Sequence, residues 1–416
     1  MNEAVREAEQ SGVAGQLSSR VRALPASKVR EIFDRANKLE SLGQRIIHLE
    51  IGRPWFDTAP AIKEAAKAAL DRGEVHYSPN RGIFELRVAI SRKLAEENGI
   101  SADPDSEILV TCGNKQATFL ALNALVDEGD EVIMTDPHYG PHFKEALFVG
   151  AIPRMLPLSP NDGWKLHGEA LRDLVGPRTK AIVFNSPHNP SGRVFSREEM
   201  QEVVQCAVEN NLVVVTDETY EYFTYDGQTH YSLASFDGMR DRTISTFAFT
   251  KSYAMDGWRL GYAAGPATAI AAMTKIVQLD TAGPNTFAQH GAIEAVKSGA
   301  SGAREMVAED REARDRTLAS LREMGMECSH VQGTIYAFPA IEDLGLTDEE
   351  FAVRLLDEHG VAVTPGSAFG EQGRSHVRIA FGAVPLETLD EALGRIQTFV
   401  SAVREAGGRG RAQISI

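Results

Sequence analysis

Four stretches of this sequence place reactive side chains where an apolar run gives way to polar residues. Lys251 comes two residues after RTISTFAF (242–249) and leads into KSYAMDGWRLGY, so that Gly257, Trp258 and Arg259 precede the next apolar run. A lone loop lysine is usually a solvated charge. One at the end of a buried strand is partly desolvated, which lowers its pKa and frees a neutral amine able to form a Schiff base. LVVVTDETY ends an apolar run on Asp217, with Tyr220 three residues on. Asp217 is either a cap for the next helix or a carboxylate held to pair with a cation. SPHNPSG (186–192) reads as a turn-rich loop, yet Asn189 sits between His188 and Pro190, where proline stiffness would fix an amide. TCGNKQATF (111–119) opens a helix at Gly113 and Asn114, and unpaired N–H groups there can cradle an anion.

These stretches need elements to hold them, and the pattern supplies them. Short β-rich runs at 107–112, 131–136, 180–185, 212–217, 242–249 and 260–265 alternate with helical patterns such as 114–127 and 197–211. Alternation of this kind predicts an α/β fold with a largely parallel sheet covered by helices on both faces. Open parallel sheets take their ligands at the carboxyl edges of the strands, which is where the four stretches fall. From about residue 300 the texture changes to a charged helix (303–325), strands around 334–340 and 376–382, and a closing helix after Pro385, as expected of a smaller α+β domain. The run IIHLEIG (46–52) predicts a strand free to join either body. We expect residues 1–58 and 299–416 to form the small domain, with an arm over the first twenty-odd residues and a loose tail from 405, and residues 59–298 the large one.

Composition narrows the function. Of 416 residues 43% are hydrophobic and 24% charged, ordinary for a folded protein. The net charge of −15 repels phosphate backbones and anionic lipid, against a nucleic-acid or membrane partner. Cys112, Cys206 and Cys328 form no CxxC pair and predict neither a disulfide framework nor a metal site. The N-terminus lacks signal-peptide order and no run reaches eighteen apolar residues, so a cytoplasmic protein is expected. GxGxxG, GxxxxGK[ST] and HExxH are absent, which removes the main support for nicotinamide, P-loop and zincin chemistry.

Taken in order, these motifs resemble the fold-type I, pyridoxal-phosphate-dependent aminotransferases of the aspartate aminotransferase family, over roughly residues 25 to 400. The resemblance implies a mostly parallel seven-stranded sheet flanked by helices, with a smaller α+β domain. It implies pyridoxal 5'-phosphate as cofactor, joined to Lys251 of AFTKSYAMDGWRLG, with Arg259 and Thr250 on its phosphate. Asp217 of DETY would bond the pyridine nitrogen, Tyr220 and Asn189 the ring oxygen, and Tyr139 of DPHYGPH would stack on the ring. Gly113, Asn114 and Lys115 would supply the phosphate cradle. Arg378 of HVRIAFG matches the arginine that grips the substrate α-carboxylate, and Gly52 of IGRPWFD a backbone that approaches the substrate closely. Tyr77 of YSPNRGIFELR looks like the tyrosine that reaches the phosphate from a neighbouring subunit, which implies a homodimer.

The sequence departs from the family pattern at Ala248, where a serine usually touches the phosphate, and at Arg53, where many relatives carry an acidic or amide residue. Lys115 sits where acid-specific members place a lysine for a distal carboxylate, so with Arg53 the pocket favours an acidic amino acid such as aspartate or glutamate. A solvated Lys115 is the plainer reading. His138, His142 and His188 fall close by, as structural donors or as site residues. The resemblance leaves open transamination between an amino acid and a 2-oxo acid, or a lyase or cyclising synthase acting by β/γ-elimination or replacement. An aminotransferase-like sensor in a transcription regulator lacks the basic helix pair it would need.

Overall fold

A computed structural model describes residues 16–413 of the chain. Its centre is a seven-stranded sheet built from β2 (Ile108–Thr111), β3 (Glu131–Asp136), β4 (Ile152–Pro157), β5 (Thr179–Asn185), β6 (Val213–Asp217), β7 (Thr243–Ala248) and β8 (Gly261–Ala264). The spatial order is β2-β8-β7-β6-β5-β3-β4. β4, β3, β5, β6 and β7 run parallel, and β8 lies antiparallel to both its neighbours. The inner parallel strands are buried on both faces, which is why β3 and β6 read as largely apolar runs rather than alternating ones. Chain order reverses across β3, whose successor β4 lies on one side while β5 lies on the other. That reversal opens a crevice at the carboxyl ends of β3 and β5.

Six predicted strands fall within a residue or two of their expected bounds. β4 was not foreseen: it carries Pro153 and Pro157 and lies at the sheet edge, the one place where missing N–H donors are tolerated. Helices Asn114–Leu125 and Arg197–Glu209 form as expected, the second closed by a reciprocal Ser196/Glu199 capping box.

A second core gathers Ile32 through Leu49 with residues from Met306 to Val403. Here β1 (Ile47–His48) pairs in parallel with β10 (Val361–Ala362), and β11 (Thr364–Pro365), β12 (Val377–Ala380) and β9 (Tyr336–Ala337) form a three-stranded antiparallel sheet. The two cores are joined by one long helix, Thr286–Glu323, broken at Gly299 (φ 49°, ψ −146°). Its first half packs Ala288–Val296 beneath the large sheet, and its second packs Met306–Leu321 in the smaller core.

Several expectations are corrected. The strand foreseen over 46–52 is only two residues long: beyond Leu49 the carbonyls of Glu50 and Gly52 accept the side chains of Thr364, Arg378 and Lys251, and that of Ile51 accepts the Arg53 N–H. The strands foreseen at 334–340 and 376–382 shorten to Tyr336–Ala337 and Val377–Ala380, and the charged helix starts seventeen residues before 303. The tail foreseen as loose from 405 continues the closing helix to Gln413. Of the expected N-terminal arm, residues 1–15 lie outside the described residues, while Ser19–Ala23 is a short helix capped by Ser18. Arg20 of that helix lies 5.5 Å from the Phe148 ring centroid, on helix Gly140–Phe148.

Candidate active site

The crevice collects side chains from four strand ends. β6 delivers Asp217, a residue only 4% exposed. Its Oδ1 accepts the Thr219 N–H at 3.0 Å, and its backbone carbonyl accepts Asn185 Nδ2 at 2.9 Å. His142 Nε2 lies 3.1 Å from Oδ2. Burial pushes this carboxyl up, but the hydrogen bond and charge of His142 and the Thr219 donors prevail and hold it below the ordinary aspartate range. Burial lowers His142, and Asp217 outweighs that and raises it. The outcome is a buried carboxylate kept ionised, able to hold a proton on a facing ring nitrogen.

β7 delivers the amine. Lys251 lies in the single turn Phe249–Ser252 that follows the strand, and its Nζ donates to the carbonyl of Gly52. Desolvation lowers its pKa, with the cations Arg378 and Arg259 acting in the same direction. Gly52 is glycine for a steric reason: a Cβ there would fall 2.6 Å from Cζ and 2.8 Å from Cε1 of Tyr336, and closer still to its hydroxyl. Tyr336 in turn shares a 2.6 Å hydrogen bond with the Tyr220 hydroxyl. Burial drives Tyr220 well above the usual phenol range, so it stays a protonated donor.

The β5 end carries Asn189, buried, its N–H on Asn185 Oδ1 at 2.8 Å. Its side-chain oxygen accepts Arg378 Nη1 at 3.1 Å, while Arg378 Nη2 donates 2.6 Å to the Glu50 carbonyl. Aromatic rings hold the guanidinium: its carbon is 4.2 Å from the Tyr336 centroid and 4.8 Å from that of Phe369. Its Nε is buried with no partner among the described residues. An arginine kept planar, desolvated and short of one acceptor is suited to a carboxylate.

At the far side, Gly113 (φ 87°) starts helix Asn114–Leu125 with no side-chain cap, leaving first-turn N–H groups open. A Cβ on Gly113 would meet Arg259 Nη2 at 2.5 Å, so the guanidinium closes over the helix start. Asn114 Nδ2 donates 2.9 Å to Thr219, and its Oδ1 is buried without a partner among the described residues. Open N–H groups, an arginine and a helix N-terminus form an anion cradle. Thr250, half-buried, directly precedes Lys251.

Tyr139 stands at the β3 end with its ring edge-on to His142, centroids 5.1 Å apart. An anion cradle, an amine, a buried carboxylate and a flat aromatic wall fit pyridoxal phosphate. Lys251 would hold its aldehyde, Asp217 its ring nitrogen, Tyr220 and Asn189 its ring oxygen, and the Gly113–Lys115 start with Thr250 and Arg259 its phosphate.

Other expected residues lie elsewhere. Tyr77 is 94% exposed and meets nothing in this chain's crevice. Lys115 is exposed, its ammonium 6.0 Å from the Tyr139 ring centroid, and Arg53 is exposed. His188 is a buried neutral link between Thr135 (3.1 Å) and Ser191 (2.7 Å), pushed down to about 3 by burial. His138 is likewise pushed down to about 4. The sequence left His142 undecided and did not point to Tyr336. The spacing of Tyr139 and His142 at a helix start, which puts them on one face, was the available signal for the first. Tyr336 had none.

The description Aminotransferase class I and II is matched by residues 44–396. An aspartate aminotransferase of Pyrococcus abyssi is 40% identical over 92% of this chain and 97% of its own length. Aromatic-amino-acid aminotransferase 2 of Thermococcus litoralis is 39% identical over the same shares. Among solved structures, aspartate aminotransferase from Thermus thermophilus with maleate superposes with a TM-score of 0.87 at 36% identity, covering 92% of this chain and 99% of that one. These relatives transfer amino groups, which favours transamination over the elimination and cyclising alternative. Sequence, fold and crevice thus agree that the chain belongs to the aminotransferase class I and II family, as a pyridoxal-phosphate-dependent enzyme that moves an amino group between an amino acid and a 2-oxo acid.

Proposed function

We propose that the enzyme works on acidic amino acids such as aspartate or glutamate, with Lys251, Asp217 and Tyr220 as its catalytic groups, and that it acts as a homodimer. The observation that carries the reading is the stretch Glu50–Gly52. Arg378 donates to the Glu50 carbonyl and Lys251 to that of Gly52, so the carboxylate-binding guanidinium and the reactive amine face one short segment. Two residues of chain span at most about 7 Å, the reach of an α-amino acid and its contacts.

Arg378 binds the α-carboxylate and orients Cα toward Lys251, whose amine, made available by desolvation, takes the Cα proton. Bound here, pyridoxal phosphate supplies the electron sink for the charge that is left. Asp217, held below the ordinary aspartate range by His142 and Thr219, would keep a proton on the ring nitrogen, and Tyr220 and Asn189 would hold the ring oxygen. Lys115 and Arg53 are exposed cations available to a distal carboxylate, and the acidic preference is supported by relatives named for aspartate and by a neighbour solved with the dicarboxylate maleate. Tyr77, unused in its own chain, is free to serve the phosphate of a second subunit.

A panel of amino acids with 2-oxoglutarate tests the substrate class. Aspartate and glutamate should give the highest kcat/KM, R378A should raise KM for every substrate, and K115A only for the dicarboxylic ones. Higher kcat/KM for aromatic or aliphatic donors would overturn the acidic preference. Mixing inactive K251A and Y77A chains should restore activity through the one intact site of the hybrid; inactive mixtures that do form hybrids would exclude the shared tyrosine.

A further inference from the structure

Tyr336 binds neither cofactor nor substrate in the reading above, yet three parts of the site meet on it. Strand register explains why. β9 pairs antiparallel with β12, Tyr336 opposite Ala380 and Ala337 opposite Ile379, so Arg378 is the diagonal neighbour of Tyr336 on the same face of the sheet. The phenol ring faces the guanidinium at 4.2 Å, and its hydroxyl reaches past it to that of Tyr220 at 2.6 Å. On a third side Gly52, whose carbonyl accepts Lys251, leaves room for that hydroxyl by lacking a Cβ. Tyr336 is 2% exposed, and its hydroxyl makes no other hydrogen bond among the described residues.

We propose that Tyr336 is a positioning residue with two separable functions: its hydroxyl donates to Tyr220 and so strengthens the donor that Tyr220 turns to the cofactor's ring oxygen, and its ring holds the Arg378 guanidinium ready for the substrate carboxylate. This rests on the readings of Tyr220 and Arg378 given above. Each phenol has one proton. With that of Tyr220 committed to the ring oxygen, only Tyr336 is left to donate across the 2.6 Å bond. Hydrogen bonds in such a chain polarise one another, and in a buried site the effect is screened least. The ring acts differently. Contact with the flat face of a guanidinium uses none of its N–H groups, so all of them stay in plane for Asn189, the Glu50 carbonyl and an incoming carboxylate.

Two substitutions separate the functions. Y336F keeps the ring and removes the donor; Y336L removes both. A donor on the ring oxygen stabilises its ionised form, so weakening that donor holds the proton tighter. The pH midpoint of the bound cofactor's visible absorption should therefore rise in Y336F by about 0.3 to 1 unit, a twofold to tenfold change in the proton equilibrium. KM for the best amino acid should stay within about twofold in Y336F and rise about tenfold in Y336L. Y220F should raise the midpoint at least as far as Y336F does, and Y220F/Y336F should match Y220F, because the hydroxyl of Tyr336 acts through that of Tyr220.

A merely structural tyrosine would lower Tm and raise KM in both variants while leaving the midpoint in place. An unmoved midpoint in Y336F, a further rise in Y220F/Y336F over Y220F, or an unchanged KM in Y336L overturns the proposal. If Y336L does not fold, Y336F decides by itself: a raised midpoint beside an unchanged KM supports the proposal, and any other pairing overturns it. Two controls tell its failure from failure of the readings beneath it. A midpoint unmoved by Y220F removes Tyr220 from the ring oxygen, and a KM unmoved by R378A removes Arg378 from the carboxylate; either overturns the proposal as well. A midpoint moved by Y220F but not by Y336F removes only the role of Tyr336.

Discussion

Replacing Gly52 with alanine is the sharpest test of the crevice geometry. Gly52 is not in the left-handed region, so alanine meets no backbone penalty and the entire effect comes from one methyl group. That methyl lies 2.6 and 2.8 Å from Cζ and Cε1 of Tyr336, against the 3.4 Å at which ordinary contact begins. The phenol must retreat by about 1 Å, more at its hydroxyl, which takes the 2.6 Å bond to Tyr220 beyond hydrogen-bonding distance. Crowding of a packed site costs about 1–3 kcal/mol, and two buried hydroxyls left unpaired cost a similar amount. The Tyr336 ring also carries Arg378, so the guanidinium shifts with it. A misplacement of about 1 Å corresponds to roughly 100-fold in rate. Steady-state assays of G52A should show kcat/KM down by about that factor, with Tm lower by a few degrees. The double variant G52A/Y336F, lacking the hydroxyl nearest the methyl, should cost less than its two single variants combined. A G52A enzyme with wild-type kcat/KM and Tm would refute the close approach of Gly52 and Tyr336.

Three further outcomes are expected. In H142N, Asp217 keeps its burial but loses the partner that holds its pKa down, so the acid limb of the kcat profile should move to higher pH; superimposed limbs would separate His142 from the carboxylate. Burial pushes Glu145 up to about 7, so the native chain retains a proton the unfolded chain has shed, and the stability this gives is lost as pH rises from the ordinary glutamate range through about 7; E145Q should flatten that slope in urea titrations. In G261A the new Cβ would meet the Asn114 nitrogen at 2.7 Å and the Gly113 carbonyl carbon and Phe247 oxygen at 2.8 Å, all main chain, so the helix start must move; cofactor retention on dialysis, read by absorbance, should weaken by about tenfold.

Much of the site was legible because strand ends are local. An apolar run that stops at Asp217 or shortly before Lys251 marks a sheet edge without any knowledge of what lies opposite. What was not legible was contact at long range. Tyr336 is 116 residues from Tyr220, and Glu50 is 328 from Arg378, and neither carries a motif that names its partner. β4 escaped because prolines hide an edge strand, and the early start of the long helix escaped because Gly299 interrupts it. Tyr77 was singled out by resemblance alone, and its exposure leaves it unused within one chain.

By itself the sequence determined the α/β alternation, the strands that carry Asp217, Asn189 and Lys251, and the glycine that opens the anion cradle, since periodicity and turn chemistry act over a few residues. Tertiary structure alone decided that His142 keeps Asp217 ionised, that Tyr336 requires glycine at position 52, and that Glu50 supports Arg378. Those outcomes depend on burial and on distances of about 3 Å between remote segments, and only packing of the two cores fixes either quantity.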